Sequence, residues 1–230
     1  MSTPIGGARI AVVEDHLLFA ESLDIALSME GHDVRRIHLP DHSRSVNTLL
    51  PAILRAKPRI ALLDLDLGQH GNSRSLIEPL TREGIAVVVV TGNPDHVQWG
   101  ECMRYGARRV IPKSTQLSEI LATIRRISNG LSAVSPEERE ALLQLWQTHR
   151  ETGHELRHRL ELLTHREQAV LGQLMLGNQV RDIARLSVVS EATLRTQVKA
   201  ILSKLGVNSQ LAAVAIAHQA EWQPPAPRAA

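Results

Sequence analysis

Five short apolar runs, each followed by a stretch of helical periodicity, fill the first 128 residues of the chain. The runs at residues 10–13, 34–37, 60–63, 86–90 and 110–111 predict strands. The stretches at 16–29, 43–56, 73–83, 95–105 and 116–128 predict helices. Five β-α units of this length predict an α/β domain built on a five-stranded, doubly wound parallel sheet with helices on both faces. The fourth run, Val87-Val88-Val89-Val90, is apolar without alternation, as befits a strand covered on both sides.

Beyond residue 128 the pattern is helical throughout. Asn129-Gly130 stops the last helix of the α/β part, since glycine readily takes the left-handed conformation that ends a helix. Ser135-Pro136-Glu137-Glu138 opens a new helix, with Ser135 as N-cap, Pro136 at the first helical position and Glu138 closing a capping box. Along it Leu142, Trp146, His149, Gly153, Leu156, Leu160 and Leu163 recur at alternating spacings of four and three. This heptad seam, blemished at His149 and Gly153, admits two readings: a long helix that pairs with its copy in a dimer, or an amphipathic linker packed on its own domains. His154 and His158 stand at i and i+4 on the same helix, but without a third ligand they are assigned no metal.

A second capping box, Thr164-His165-Arg166-Glu167, opens a set of short helices reaching about residue 219. The last eight residues hold three prolines and three alanines and predict a disordered tail. The expected division is an α/β domain at 8–129, a helical linker at 130–163, an all-α domain at 164–219 and a tail at 220–230.

Composition narrows the chemistry. The chain is 43% apolar but holds only three Trp, one Tyr and one Phe, so its core must be aliphatic and base stacking on aromatics is not expected. A single cysteine, Cys102, excludes an internal disulfide framework and suits a reducing compartment. The first seven residues lack the apolar core of a signal peptide, and no apolar run approaches the roughly 20 residues of a membrane span. A cytoplasmic protein that does not engage membrane is expected. The net charge of +2 is unevenly spread: residues 164–230 hold seven basic and four acidic side chains, against four and six in 131–163. The positive excess lies where a polyanion would be met.

The strand ends carry the candidate chemistry. Glu14-Asp15 follows the first run, Asp64 ends the third, Thr91 follows the fourth and Lys113 the fifth. In a parallel sheet all four arrive at one carboxyl edge, where ligands bind. Carboxylates, a hydroxyl and an ammonium together suit a divalent cation and a phosphoryl group. Phosphorylating a carboxylate needs an aspartate placed for in-line attack, a Mg²⁺ to neutralise shared charge, and a cation and small donor for the spread oxygens.

These residues, Glu14-Asp15-His16, Leu62-Leu63-Asp64-Leu65-Asp66-Leu67, Thr91-Gly92, and Gly106-Ala107 through Pro112-Lys113, resemble the receiver domain of two-component response regulators over residues 8–129. The resemblance implies that Asp64 is the phosphoacceptor and that Asp15 and Asp64 ligate Mg²⁺ directly. It further implies Glu14 acting through water, the Asp66 carbonyl completing the protein ligands, and Thr91 and Lys113 binding the phosphoryl group. Two positions depart from the family pattern. The chain reads Gly68-Gln69-His70-Gly71 where Pro and Gly are usual, and Val110 stands where an aromatic switch is expected.

Residues 164–219 resemble the LuxR-type helix-turn-helix, which identifies the whole chain as similar to the NarL/FixJ subfamily. The matching blocks are Leu163-Thr164-His165-Arg166-Glu167, Ile183-Ala184, Ser190-Glu191-Ala192-Thr193-Leu194-Arg195, and Val198 followed by Ile201-Leu202-Ser203-Lys204-Leu205-Gly206-Val207. Leu194, Val198, Ile201 and Leu205 form one apolar stripe, which leaves Arg195, Thr196 and Lys199 on other faces. By the resemblance these three enter the major groove and Lys204 meets the backbone, with Ser190 and Thr193 at the start of the helix, where a phosphate is attracted. Gln197 and Gln210 replace the customary histidine and arginine.

The expected protein is a transcription factor, not a metabolic enzyme, phosphorylated on Asp64 to control dimerisation and promoter binding. Its implied partners are a sensor histidine kinase, double-stranded DNA, RNA polymerase and a second copy of itself, with Mg²⁺ as cofactor. Val110 keeps open a regulator that works without phosphorylation. A haloacid-dehalogenase-like phosphatase is a remote alternative, because no Asp lies between Asp95 and Asp182 to supply the later acidic motif.

Overall fold

The computed structural model describes residues 7–40 and 45–224. The expected start of the second helix at Ser43 and the tail from residue 225 lie outside the described residues. The chain forms two compact units that divide between Trp146 and Gln147.

The first unit is a parallel sheet of β1 (Arg9–Val13), β2 (Asp33–Arg36), β3 (Ile60–Asp64), β4 (Ala86–Thr91) and β5 (Arg109–Pro112), in the order β2-β1-β3-β4-β5. Its helices are α1 (Leu17–Met29), α2 (Leu50–Ala56), α3 (Ile77–Arg82), α4 (His96–Arg104) and α5 (Leu117–Ser128). Two of them start late. The segments Val46–Leu49 and Ser73–Leu76 are 3₁₀ turns that lead into α2 and α3.

Side chains alternate across the strands and feed two cores. Ala11, Val13, Ala61, Leu63, Val87, Val89 and Val110 pack with Ile53, Ile77, Leu80 and Met103 from α2, α3 and α4. Ile10, Val12, Ile60, Leu62, Val88, Val90 and Ile111 pack with Leu23, Leu27, Ile120 and Ile124 from α1 and α5. Because both faces are covered, the inner strands β3 and β4 read as aliphatic runs, whereas the edge strand β2 is Asp33-Val34-Arg35-Arg36 and partly exposed.

Helix α6 (Pro136–Glu161) begins with the expected Ser135 cap, whose hydroxyl accepts from the Glu138 N–H at 3.1 Å, one half of the expected box. Three of its leucines are buried in the cores of the two units. Leu142 is buried in the first core, while Leu156 and Leu160, with Leu163 beyond the helix end, are buried in the second. His149 is exposed. The seam is therefore used in the chain's own packing, which favours the connector reading.

The second unit contains α7 (His165–Met175), α8 (Val180–Leu186), α9 (Glu191–Leu205) and α10 (Gln210–Gln219). The Thr164 capping box is complete, with reciprocal bonds between Thr164 and Glu167. Helix α9 ends on Gly206 at φ +70°, a left-handed position that glycine adopts without penalty. Ala220 is buried and Trp222 half-buried against this core, so the packed chain runs past residue 219 into what the composition suggests is tail; the indole is a large apolar group that the prolines beyond it conceal in a composition count. Among the described residues no single helix is long and apolar enough to cross a membrane.

Candidate functional site

The strand register delivers the predicted residues to one edge. Val13 pairs with Leu63, Asp64 with Val90 and Thr91 with Pro112, so Glu14-Asp15, Asp64, Thr91 and Lys113 leave the sheet side by side. They line an open cleft of about 670 Å³ with Asp66, Asn93 and Gln98, except that Glu14 sits beneath, its side chain only 2% exposed.

Lys113 is the hub. Its Nζ lies 2.7 Å from Asp64 Oδ2 and 2.7 Å from Glu14 Oε1, and 5.3 Å from the centre of the Phe19 ring. Its burial works to lower the ammonium's pKa, but the bonds to Asp64 and Glu14 outweigh that and hold it above the usual lysine value. Burial pushes the Asp64 carboxyl up to about 6, with Lys113 opposing the rise and the Glu14 charge adding to it. The remaining Asp64 oxygen accepts from the Asp66 N–H at 3.3 Å. The Asp66 carboxylate turns to its own loop and accepts from Gly68 N–H at 3.1 Å.

Glu14, Asp15, His16 and Asp64 offer ligand atoms that all lie within 4.8 Å of one another. Three of the four donors are carboxylate oxygens, the hard ligands that Mg²⁺ prefers. Asp15, Asp64 and Asp66 all border the cleft. The donor set fits the cation.

Thr91 is buried, with its Oγ1 accepting from Asn93 N–H at 3.0 Å. That leaves its hydroxyl proton for another acceptor at the cleft. Val110 lies in the core beneath, 5% exposed, among Val89 and Met103. It has no polar atom with which to report on the site.

Three neighbours carried no clear signal in the sequence. His16 Nδ1 lies 2.8 Å from Asp15 Oδ1, 3.1 Å from Glu14 Oε1 and 3.3 Å from Lys113 Nζ. Ser73, buried, donates to the Asp64 carbonyl and secures the loop after β3. Asn93 links Thr91 to α4. Only His16, adjoining the acid pair, was within reach of a motif reading. Cys102 is inert here, because burial pushes its thiol to about 12.

In the second unit, Leu194, Val198, Ile201 and Leu205 are buried and Arg195, Thr196 and Lys199 exposed. At 3.6 residues per turn the last three share the side opposite the buried stripe. Arg195 is held loosely by Glu191 at 3.4 Å and Thr196 bonds the Ala192 carbonyl. The Ser190 hydroxyl accepts from Thr193 N–H at 3.1 Å and pairs with the Thr193 hydroxyl at 2.8 Å, so both cap the helix. Lys204 differs from the expectation. Its ammonium binds Glu167 Oε2 at 2.7 Å and the Leu162 carbonyl at 3.2 Å, engaged in packing α9 against the start of α7. A partner 37 residues away was beyond any local pattern.

The fold and this pair of sites define a class: an α/β domain with an acidic cleft, joined to a helix-turn-helix. Residues 161–217 match the luxR family of bacterial regulatory proteins. The chain is 27% identical over 212 residues to the probable transcriptional regulatory protein NarL of Mycobacterium tuberculosis, covering 90% of this chain and 92% of that one. It is 23% identical over 211 residues to the nitrate/nitrite response regulator protein homolog of Haemophilus influenzae, covering 90% and 95%. In fold, it resembles a two-component response regulator of the LuxR family from an Aurantimonas species, with a TM-score of 0.50 at 19% identity, covering 63% of this chain and 98% of that one. The chain is thus similar over most of its length to NarL-like response regulators, and its residues 161–217 match the luxR family.

Proposed function

We propose that this protein is a cytoplasmic, DNA-binding transcriptional regulator switched by phosphorylation of Asp64. The observation that carries the proposal is the Asp64 carboxylate, held 2.7 Å from Lys113 in a cleft shared with Asp15, Asp66 and Thr91. In this reading Asp15, Asp64 and the Asp66 carbonyl hold Mg²⁺, with Glu14 acting through water. The cation would neutralise charge between the carboxylate and the incoming phosphoryl group.

The protein's own groups do the remaining work. A carboxylate oxygen of Asp64 attacks phosphorus as the bond to the donor imidazole of a sensor histidine kinase breaks, and the departing imidazole regains its lone pair. Lys113 shifts its ammonium toward the transferred oxygens. The free proton of the Thr91 hydroxyl supplies a further donor. The phosphorylated form would dimerise and set two α9 helices in successive major-groove half-sites, with Arg195, Thr196 and Lys199 toward the DNA and Ser190 and Thr193 at the phosphate-facing helix start. RNA polymerase is the downstream partner. The proposal keeps the division into a receiver at 8–129 and a DNA-binding part from 164, and leaves Lys204 to the fold.

Incubation with acetyl phosphate and Mg²⁺ followed by intact mass measurement tests it: wild type gains one phosphoryl group and Asp64→Ala gains none. No adduct on wild type overturns it. The second reading, a regulator indifferent to phosphorylation, draws on Val110. Equal DNA affinity of wild type and Asp64→Ala, each with and without phosphodonor, would select it.

A further inference from the structure

We propose that Trp99, in place of the residue at position 110, transmits the state of the Asp64 cleft to helix α6; the inference rests on the phosphorylation reading above. Position 110 offers an aliphatic side chain fixed in the core, so any readout must leave the cleft by another route.

Such a route runs through the β4–α4 turn. Thr91 Oγ1 accepts from Asn93 N–H at 3.0 Å. Asn93 Oδ1 accepts from Asp95 N–H at 2.9 Å, and the Asp95 carboxylate accepts from Val97 N–H at 2.9 Å to cap α4. The Asn93 carbonyl accepts from the Trp99 indole N–H at 2.8 Å. One residue, Asn93, is thus bonded at its amide to the cleft hydroxyl and at its carbonyl to the indole.

From Trp99 the path continues through packing. The next residue, Gly100, sits so close to α6 that a Cβ there would lie 2.1 Å from the Leu142 carbonyl oxygen and 2.9 Å from Trp146 Cβ. Trp99, Leu142 and Leu143 belong to one apolar cluster. At the far end of α4, Arg139 of α6 donates to the carbonyls of Met103 and Ala107 at 3.1 and 3.3 Å. Helix α4 therefore cannot roll or slide without displacing residues 136–146.

The physical step is an exchange of acceptors. When the Thr91 side chain rotates to carry its hydroxyl within reach of a phosphoryl oxygen, Oγ1 is drawn away from the Asn93 N–H, which loses its acceptor, and the 91–95 turn rearranges. The Asn93 carbonyl moves with it and carries the indole. Close-packed surfaces answer such a shift by repacking in discrete steps, and the tightest packing in its way is Gly100 on α6. The start of α6 is then loosened from α4.

Hydrogen–deuterium exchange on the full chain, with Mg²⁺ alone and with Mg²⁺ plus beryllofluoride, tests this. ¹⁹F spectra of the same samples report whether beryllofluoride is bound. In wild type, binding should make amides at 136–146 exchange roughly tenfold faster, within the range usual for two coupled sites. Trp99→Phe, which keeps an aromatic body but has no N–H, should bind beryllofluoride as wild type does and lose the acceleration. Gly100→Ala should show fast exchange at 136–146 with Mg²⁺ alone. Binding with no acceleration in wild type, or with equal acceleration in Trp99→Phe, overturns the inference. Absence of beryllofluoride binding to wild type overturns the phosphorylation reading itself.

Discussion

The Lys113 ammonium lies 2.7 Å from Asp64 Oδ2 across 49 residues of sequence, and the same nitrogen lies 2.7 Å from Glu14 Oε1 across 99. One cation thus bridges two carboxylates whose side chains are each 2% exposed. A buried charge left without its partner is costly, so the cleft's acidity and its stability depend on the same group.

Lys113→Met should remove the donor nearest the reacting oxygens. Phosphorylation of Asp64 by acetyl phosphate should slow by about 10²-fold, the usual cost of losing one positioned donor of this kind. Rates of adduct formation by mass measurement check it, with circular dichroism confirming that the variant is folded.

Without divalent cation, Asp64 should weaken the fold as it ionises. Its folded value of about 6 exceeds the ordinary 3.8, so the folded state holds the proton more tightly than the unfolded one. The stabilisation is fully present below about 3.8 and is lost as pH rises through 6. Asp64→Asn should therefore be more stable than wild type at about pH 7.5 in EDTA, with the gap closing toward about pH 4. Urea melts at both pH values measure this, and a gap that widens on acidification would refute it.

Glu167 has the opposite sign. Burial works to raise its carboxyl, but Lys204 and Thr164 prevail and hold it below the ordinary 4.5. Its contribution is present above about 4.5 and lost as pH falls through the lower, folded value. Glu167→Gln should abolish that acid-sensitive part of the second unit's stability. Thr164→Ala, which removes the cap, should cost about 1 kcal/mol at neutral pH. Thermal melts from about pH 3 to about pH 7 test both.

The two lysines of α9 should behave differently on DNA. Lys199→Ala should weaken binding to a selected duplex and reduce the salt slope by about 0.9, the change expected when one phosphate is no longer neutralised. Lys204→Ala should leave the slope unchanged and lower the melting temperature, since its ammonium is engaged with Glu167 and Leu162. Fluorescence anisotropy at several salt concentrations separates the cases.

Much of this architecture was legible in the chain. The period of the apolar positions reports which face of an element is covered, and that is local information, so the five strands and the stripe Leu194, Val198, Ile201 and Leu205 could be read directly. The Ser135 cap and the Thr164 box were legible because a cap and its partner lie three residues apart. The carboxylates, Thr91 and Lys113 could be placed at one edge because parallel strands present their ends together.

Local patterns along the chain thus specify the order of elements, their buried faces and the edge to which the reactive groups are delivered. Tertiary packing settled which surface covers each face and which charge meets which. It drew Leu142 into one core and Leu156 and Leu160 into another, took Lys204 from the helix surface to Glu167, and set Gly100 against the backbone of α6. The difference is one of range: periodicity and capping act over a turn of chain, whereas these pairings join residues tens of positions apart, and only the folded core brings them together.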